Sequence, residues 1–261
     1  MKNIRIHRIA AQFVLFLCCS SSALACQITV SAASSLTKAL KEIATHFEQQ
    51  QHCKAVLNFA ASGALVQQLK YGAPIDVLAT ADQQTMELAQ HQNLIDQDSL
   101  RNFISNRLVL ITPADQQNTA VKYRQQMSSA ELLNNLTGAQ IRHIALGNPA
   151  SVPAGRYAQS SLQRAGLWQA VSNKIIPALH VRQVLDYVIR GEVEAGFVYA
   201  SDAQDQQVKL LGVVDTVIPI LYPAAVSRLS SNPAAARRFV EFLSSPTAQN
   251  VFLNHGFSTN Q

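Results

Sequence analysis

The stretch ITVSAASSLTKALKEIATHF, residues 28–47, begins as one kind of secondary structure and ends as another. Ile28 and Val30 head a short apolar run of the kind that forms a buried strand, whereas Leu36, Leu40, Ile43 and Phe47 recur at helical spacing and predict one buried helix face. Ala32, Ala33, Ser34 and Ser35 fill the junction. Strand, small residues, helix is the signature of an α/β unit, in which the chain turns at the carboxyl end of a strand and the first N–H groups of the helix are left without helical partners.

The pattern repeats along the chain. AVLNFA, ASGA and LVQQLKYG (55–60, 61–64, 65–72) give a second strand, junction and helix, with Gly72 suited to a left-handed helix end. APIDVLATAD (73–82) reads as a third strand, with Pro74 at its start where a missing N–H does little harm. In IALGNPASVPAGRYAQSSL a strand at 144–146 leads through a Pro/Gly/Ser loop into a helix starting near Ala154. PALHVRQVLDYVIRGEVEAGFVYASD starts a helix at Val181, with Val184, Leu185 and Val188 facing inward, and then a strand ending at Tyr199. Ligands of open α/β sheets bind beyond the carboxyl strand ends, where each helix start adds roughly half a positive charge, so four such junctions suit an anion. Taken singly each has a plainer reading. A serine before a helix is usually an N-cap, Pro149, Pro153 and Gly155 shape a loop, and Tyr199 is a half-buried aromatic at a strand end.

Composition bounds what the anion's protein is. The chain has 261 residues, 48% hydrophobic and 14% charged, enough for one large or two smaller soluble domains. Lys2, Arg5 and Arg8 precede an apolar run from Ile9 to Cys19, and Ala23-Leu24-Ala25 supplies a small-x-small cleavage pattern, so residues 1–25 read as a secretory signal peptide. Without it 18 of the 21 basic residues stand against 16 acidic ones, a net charge of +2. No basic cluster interleaved with aromatics remains, which argues against a nucleic-acid partner. Cys26 and Cys53 each precede a predicted strand in an oxidising compartment, which points to a disulfide at the amino ends of neighbouring strands. Its reduction should lower the melting temperature and spare a site at the carboxyl ends. Cys26 also directly follows the cleavage point, so a lipid anchor is the alternative, although Ala23 stands where lipoprotein signals carry a larger apolar residue.

AASSLTKAL, FAASGALVQQLKYGAPIDVLATAD, GNPASVPAGRYA, VRQVL and AGFVYASD, in this order and spacing, resemble the periplasmic molybdate-binding proteins of ABC importers, and the likeness extends to the ending AQNVFLNHGF. The resemblance implies a two-lobed type II periplasmic-binding-protein fold of class α/β, each lobe a mainly parallel sheet flanked by helices. It implies lobe one at 26–107 plus 223–261 and lobe two inserted at 108–222, with RLVLITP and TVIPILYP crossing between them. It further implies an oxyanion held in the cleft by the hydroxyls of Ser35, Ser62 and Tyr199 and the backbone N–H groups of Ala154 and Val181. The protein would be a periplasmic monomer with no cofactor, capturing molybdate or tungstate for a membrane permease and its ATPase subunit. His180 departs from the acidic or amide residue the family carries there. It is either a helix-start residue facing solvent or a neighbour of the ion.

The residues fit that chemistry. Molybdate is an unprotonated dianion at neutral pH whose oxygens only accept, so its site should present donors alone, and none of the matched positions is acidic. Sulfate is also a tetrahedral dianion, and only cavity size separates the two. A secreted hydrolase is the rival class, but the sequence contains no Gly-x-Ser-x-Gly elbow and no His-x-x-x-His pair.

Overall fold

A computed structural model describes residues 26–114, 127–204 and 207–259; the expected signal peptide at 1–25 lies outside them. The chain forms two five-stranded sheets flanked by helices. In the first sheet the order is β2-β1-β3-β10-β4, from β1 (Cys26–Ala33), β2 (Cys53–Ala60), β3 (Val77–Ala79), β4 (Arg101–Asn106) and β10 (Ile220–Val226). The second runs β7-β6-β8-β5-β9, from β5 (Leu108–Pro113), β6 (Ile144–Gly147), β7 (Ile175–Ala178), β8 (Ala195–Tyr199) and β9 (Val208–Val214).

Helices follow the strands where the periodicity places them. After a single 3-10 turn at Ser34–Leu36, α1 (Thr37–Gln51) buries Leu40, Ile43 and Phe47 completely against the first sheet. Next come α2 (Ser62–Lys70), ended by Gly72 at φ +83°, and α3 (Gln83–His91), whose N-cap Asp82 accepts from the Thr85 N–H. In the second lobe α4 (Ser129–Asn134) precedes α5 (Pro153–Arg164), α6 (Trp168–Val171) and α7 (Val181–Ile189), while α8 (Pro233–Phe242) and α9 (Pro246–Asn254) close the chain against the first. Gly155 is required in α5, because a Cβ there would lie 1.7 Å from the Gly147 carbonyl oxygen.

Each sheet is mixed. β1 pairs in parallel with β2 and β3, and β6 with β7 and β8, which are the halves carrying the junctions. β10 is antiparallel to β3 and β4, and β5 to β8 and β9. These are the strands through which the chain passes between lobes, leaving the first sheet at Asn106 and returning between Val214 and Ile220. A strand arriving from the other lobe enters from the opposite end, so in each sheet a single strand, β10 or β5, opposes four that run together, and the sheets are mainly parallel as expected. At the amino ends of β1 and β2, Cys26 stands opposite Cys53 in the register and the two are joined as a disulfide.

Candidate functional site

The carboxyl strand ends of the two lobes face each other across one small cavity, lined by Ser35, Ser62, Ala154, Val181 and Tyr199 together with Ser34 and several alanines. The cavity is small, about 10 Å³. None of the residues lining it is charged. All five residues expected from the sequence are at most 5% exposed. Ala154 and Val181 lie in the first turns of α5 and α7, and Ser62 opens α2, so three helix N-termini converge on the cavity. Pro153 lacks an N–H, which makes Ala154 the first residue of α5 able to donate.

The serines are not caps. No side-chain cap bond forms at the start of the 3-10 turn, of α1 or of α2. Instead each serine oxygen meets another group: Ser62 Oγ accepts from the Ala81 N–H at 3.1 Å, and Ser35 Oγ lies 3.0 Å from the hydroxyl of Tyr222 on β10 of the first sheet. Because a backbone N–H can only donate, the Ser62 proton remains free for the cavity. Tyr199 O–H donates to the Ala81 carbonyl across the cleft at 3.4 Å, and burial pushes its phenol well above the usual value of 10, so it stays a donor.

Two further contacts bridge the lobes beside the cavity. The Gly63 N–H donates to the Ser151 carbonyl at 3.0 Å. Arg156 on α5 reaches Asp82 Oδ2 through Nη2 at 2.5 Å and Nε at 3.2 Å, and Thr85 Oγ1 through Nη2 at 2.6 Å. Outside this contact runs a larger open groove of about 660 Å³ between α2, α3 and the loop at 149–151. Glu87 and His91 face it, and a carboxylate there is a poor neighbour for a dianion.

A family model, bacterial extracellular solute-binding protein, matches residues 28–258. This chain belongs to that family. The solute-binding protein is 35% identical over 235 residues to the molybdate-binding protein ModA of Escherichia coli, covering 89% of each chain. It is 33% identical over 242 residues to that of Haemophilus influenzae, covering 91% of this chain and 92% of the other. A solved substrate-binding domain of a putative molybdenum ABC transporter from Clostridium difficile aligns at TM-score 0.66 and 33% identity over 90% of this chain and 99% of the other. The periplasmic molybdate-binding protein of Azotobacter vinelandii aligns at TM-score 0.77 and 23% identity over 90% and 100%, which establishes the two-lobed periplasmic-binding fold.

Sequence reasoning missed three residues that shape this solute-binding protein's site. Tyr222 and Asn106 sit in strands β10 and β4; the first reads only as part of the crossing run TVIPILYP and the second draws no reading. Arg156 did leave one: a cation in the first turn of a helix opposes the helix dipole and needs a partner. His180 is the N-cap of α7, its Nδ1 accepting from the Gln183 N–H at 3.1 Å, and it is partly exposed. It is thus a helix-start residue, held in the tautomer whose proton is on Nε2.

Proposed function

We propose that this solute-binding protein captures molybdate, and tungstate by the same chemistry, in the periplasm and delivers it to the membrane permease of an ABC importer driven by its ATPase subunit. The observation that carries this reading is a small pocket between buried residues, furnished with donors and free of charged side chains. A dianion that never carries a proton is satisfied there, while a protonated oxyanion such as hydrogen phosphate would present a donor to donors. Ser35, Ser62, Tyr199 and the N–H groups of Ala154 and Val181 are the proposed ligands, Tyr199 turning its one proton from the Ala81 carbonyl to the ion, with no catalytic residue and no cofactor. Relatives bearing the name molybdate-binding protein support the choice of ion.

On this reading residues 1–25 are removed on export, lobe one is 26–107 plus 223–261, and lobe two is 108–222. The bridge to Cys53 occupies the Cys26 sulfur, which favours a free periplasmic protein over a lipid-anchored one. The test is calorimetric titration of the purified protein with molybdate, tungstate, sulfate and phosphate. Tight binding of the first two with far weaker binding of sulfate is expected; equal affinity for sulfate would overturn the ion assignment.

A further inference from the structure

Asn106, Tyr222 and Ser35 form a chain of hydrogen bonds leading from the point where the polypeptide crosses between lobes into the cavity. Asn106 Nδ2 lies 3.3 Å from the Tyr222 hydroxyl oxygen, which lies 3.0 Å from Ser35 Oγ. The orientation of the Asn106 amide is fixed by its other partners. Its Oδ1 accepts from the Arg107 N–H at 2.9 Å and its Nδ2 also donates to Ser201 Oγ at 2.9 Å. The amide nitrogen must therefore donate to Tyr222. A hydroxyl has one proton, so a phenol oxygen that accepts from Asn106 is best satisfied by donating its own proton to Ser35 Oγ. Tyr222 is fully buried, and burial pushes its phenol well above the usual value of 10, so the proton is there to give. With its oxygen supplied, Ser35 has its proton left for the cavity.

From this we infer that Tyr222 and Asn106 are specificity-determining positioning residues: they fix the polarity of the Ser35 hydroxyl so that it faces the ligand as a donor. Ser62 has the same polarity from the Ala81 N–H, whose direction cannot reverse. Ser35 needs a relay because its neighbour is a hydroxyl, which can point either way. Without the relay Ser35 can rotate and offer lone pairs, and the site then tolerates an oxyanion that carries a proton. The inference rests on the oxyanion-binding reading above and adds how the site enforces donor-only recognition.

Calorimetric titration of Tyr222→Phe with molybdate and with phosphate at neutral pH tests it, alone and in a Ser35→Ala background. The phenyl ring keeps the shape, and only the hydroxyl is lost. Molybdate affinity should fall by about three- to tenfold, as for loss of one hydrogen bond. The ratio of molybdate to phosphate affinity should narrow, and the loss should shrink to less than about twofold when Ser35 is already alanine. Asn106→Asp gives an independent reading, since a carboxylate accepts where the amide donated and would draw the phenol proton away from Ser35. Its loss of molybdate affinity should likewise be smaller in the Ser35→Ala background. Unchanged molybdate affinity in Tyr222→Phe, or a loss undiminished by Ser35→Ala in both variants, would overturn the relay. Failure of the unmodified protein to bind molybdate would instead overturn the function proposed above.

Discussion

Ser62 owes its role to what its oxygen already accepts. With the Ala81 N–H on one side, its remaining capacity toward the cavity is a proton, and a hydrogen bond from that proton to a charged acceptor is worth about 1.5 to 3 kcal/mol. Ser62→Ala, Ser35→Ala and Tyr199→Phe should each weaken molybdate binding by roughly ten- to a hundredfold in titration, and unchanged affinity in all three would return the hydroxyls to a structural role. Asp202 behaves differently. Its carboxyl is buried with Oδ2 unpartnered, and desolvation raises its pKa to about 7 despite Arg182 at 3.5 Å, the Tyr199 backbone and Lys38. In the unfolded chain an Asp titrates near about 3.9. Between those values the native state holds a proton the unfolded state has lost, so this contribution is full below about 3.9 and disappears as pH rises through about 7. Thermal melts should show the unmodified protein losing stability relative to Asp202→Asn as pH rises from about 4 to about 7; a constant difference would refute the shift. The serines and Tyr199 were picked from sequence through the resemblance to molybdate-binding proteins, since singly each reads as a cap or a strand-end aromatic. Asp202 could not be, since its burial is a property of the packed lobes.

The junction-bearing elements were legible, as were RLVLITP and TVIPILYP, which correspond to β5 and the start of β10, whereas β4 and β7 were not. β1, β2, α1, α5 and α7 show clean periodicity, and Val181 and the strand end at Tyr199 fall where the pattern put them. β4 was overlooked because its sequence RNFISN alternates poorly and four of its six residues are polar. β7 contains Pro177, which argues against a central strand; it is tolerated because β7 lies at the edge of its sheet. Gly63 shows what an element can hide. It sits in the first turn of α2, where alanine would ordinarily favour the helix, yet a Cβ there would lie 2.8 Å from the Ser151 carbonyl oxygen and 3.0 Å from its Cα. Both are backbone atoms of the opposite lobe, so relief requires the lobes to part. Gly63→Ala should therefore keep or raise the melting temperature of the ligand-free protein while lowering molybdate affinity by roughly five- to a hundredfold, the range for overpacking a tight contact. A variant with lower ligand-free stability and normal affinity would place the glycine's importance inside its own lobe.

Closure of the two lobes is where sequence gives least, because its contacts join residues far apart in the chain. Arg156 and Asp82 are separated by 74 positions, and their pairing exists only with the lobes together. Asp82 is almost fully buried and adjacent to Ala81, which lines the cavity, so an uncompensated carboxylate there would repel a bound dianion. Arg156, two residues beyond Ala154 on α5, cancels that charge and ties α3 to α5 through both Asp82 and Thr85. The pair is offset by the cost of desolvating both ions, so its net contribution to folding is modest. Its kinetic effect is another matter: opening must break the pair before the ion leaves, whereas capture by the open form need not form it first. Arg156→Gln should speed molybdate dissociation at least about tenfold in stopped-flow displacement with little change in the association rate, as when one member of a buried charge pair is truncated. Adding Asp82→Asn, which keeps an N-cap acceptor for α3 while removing the orphaned charge, should recover part of the loss. If Arg156→Gln slowed association instead, or left dissociation unchanged, the pair would be a surface ornament and closure would be held by the ion alone.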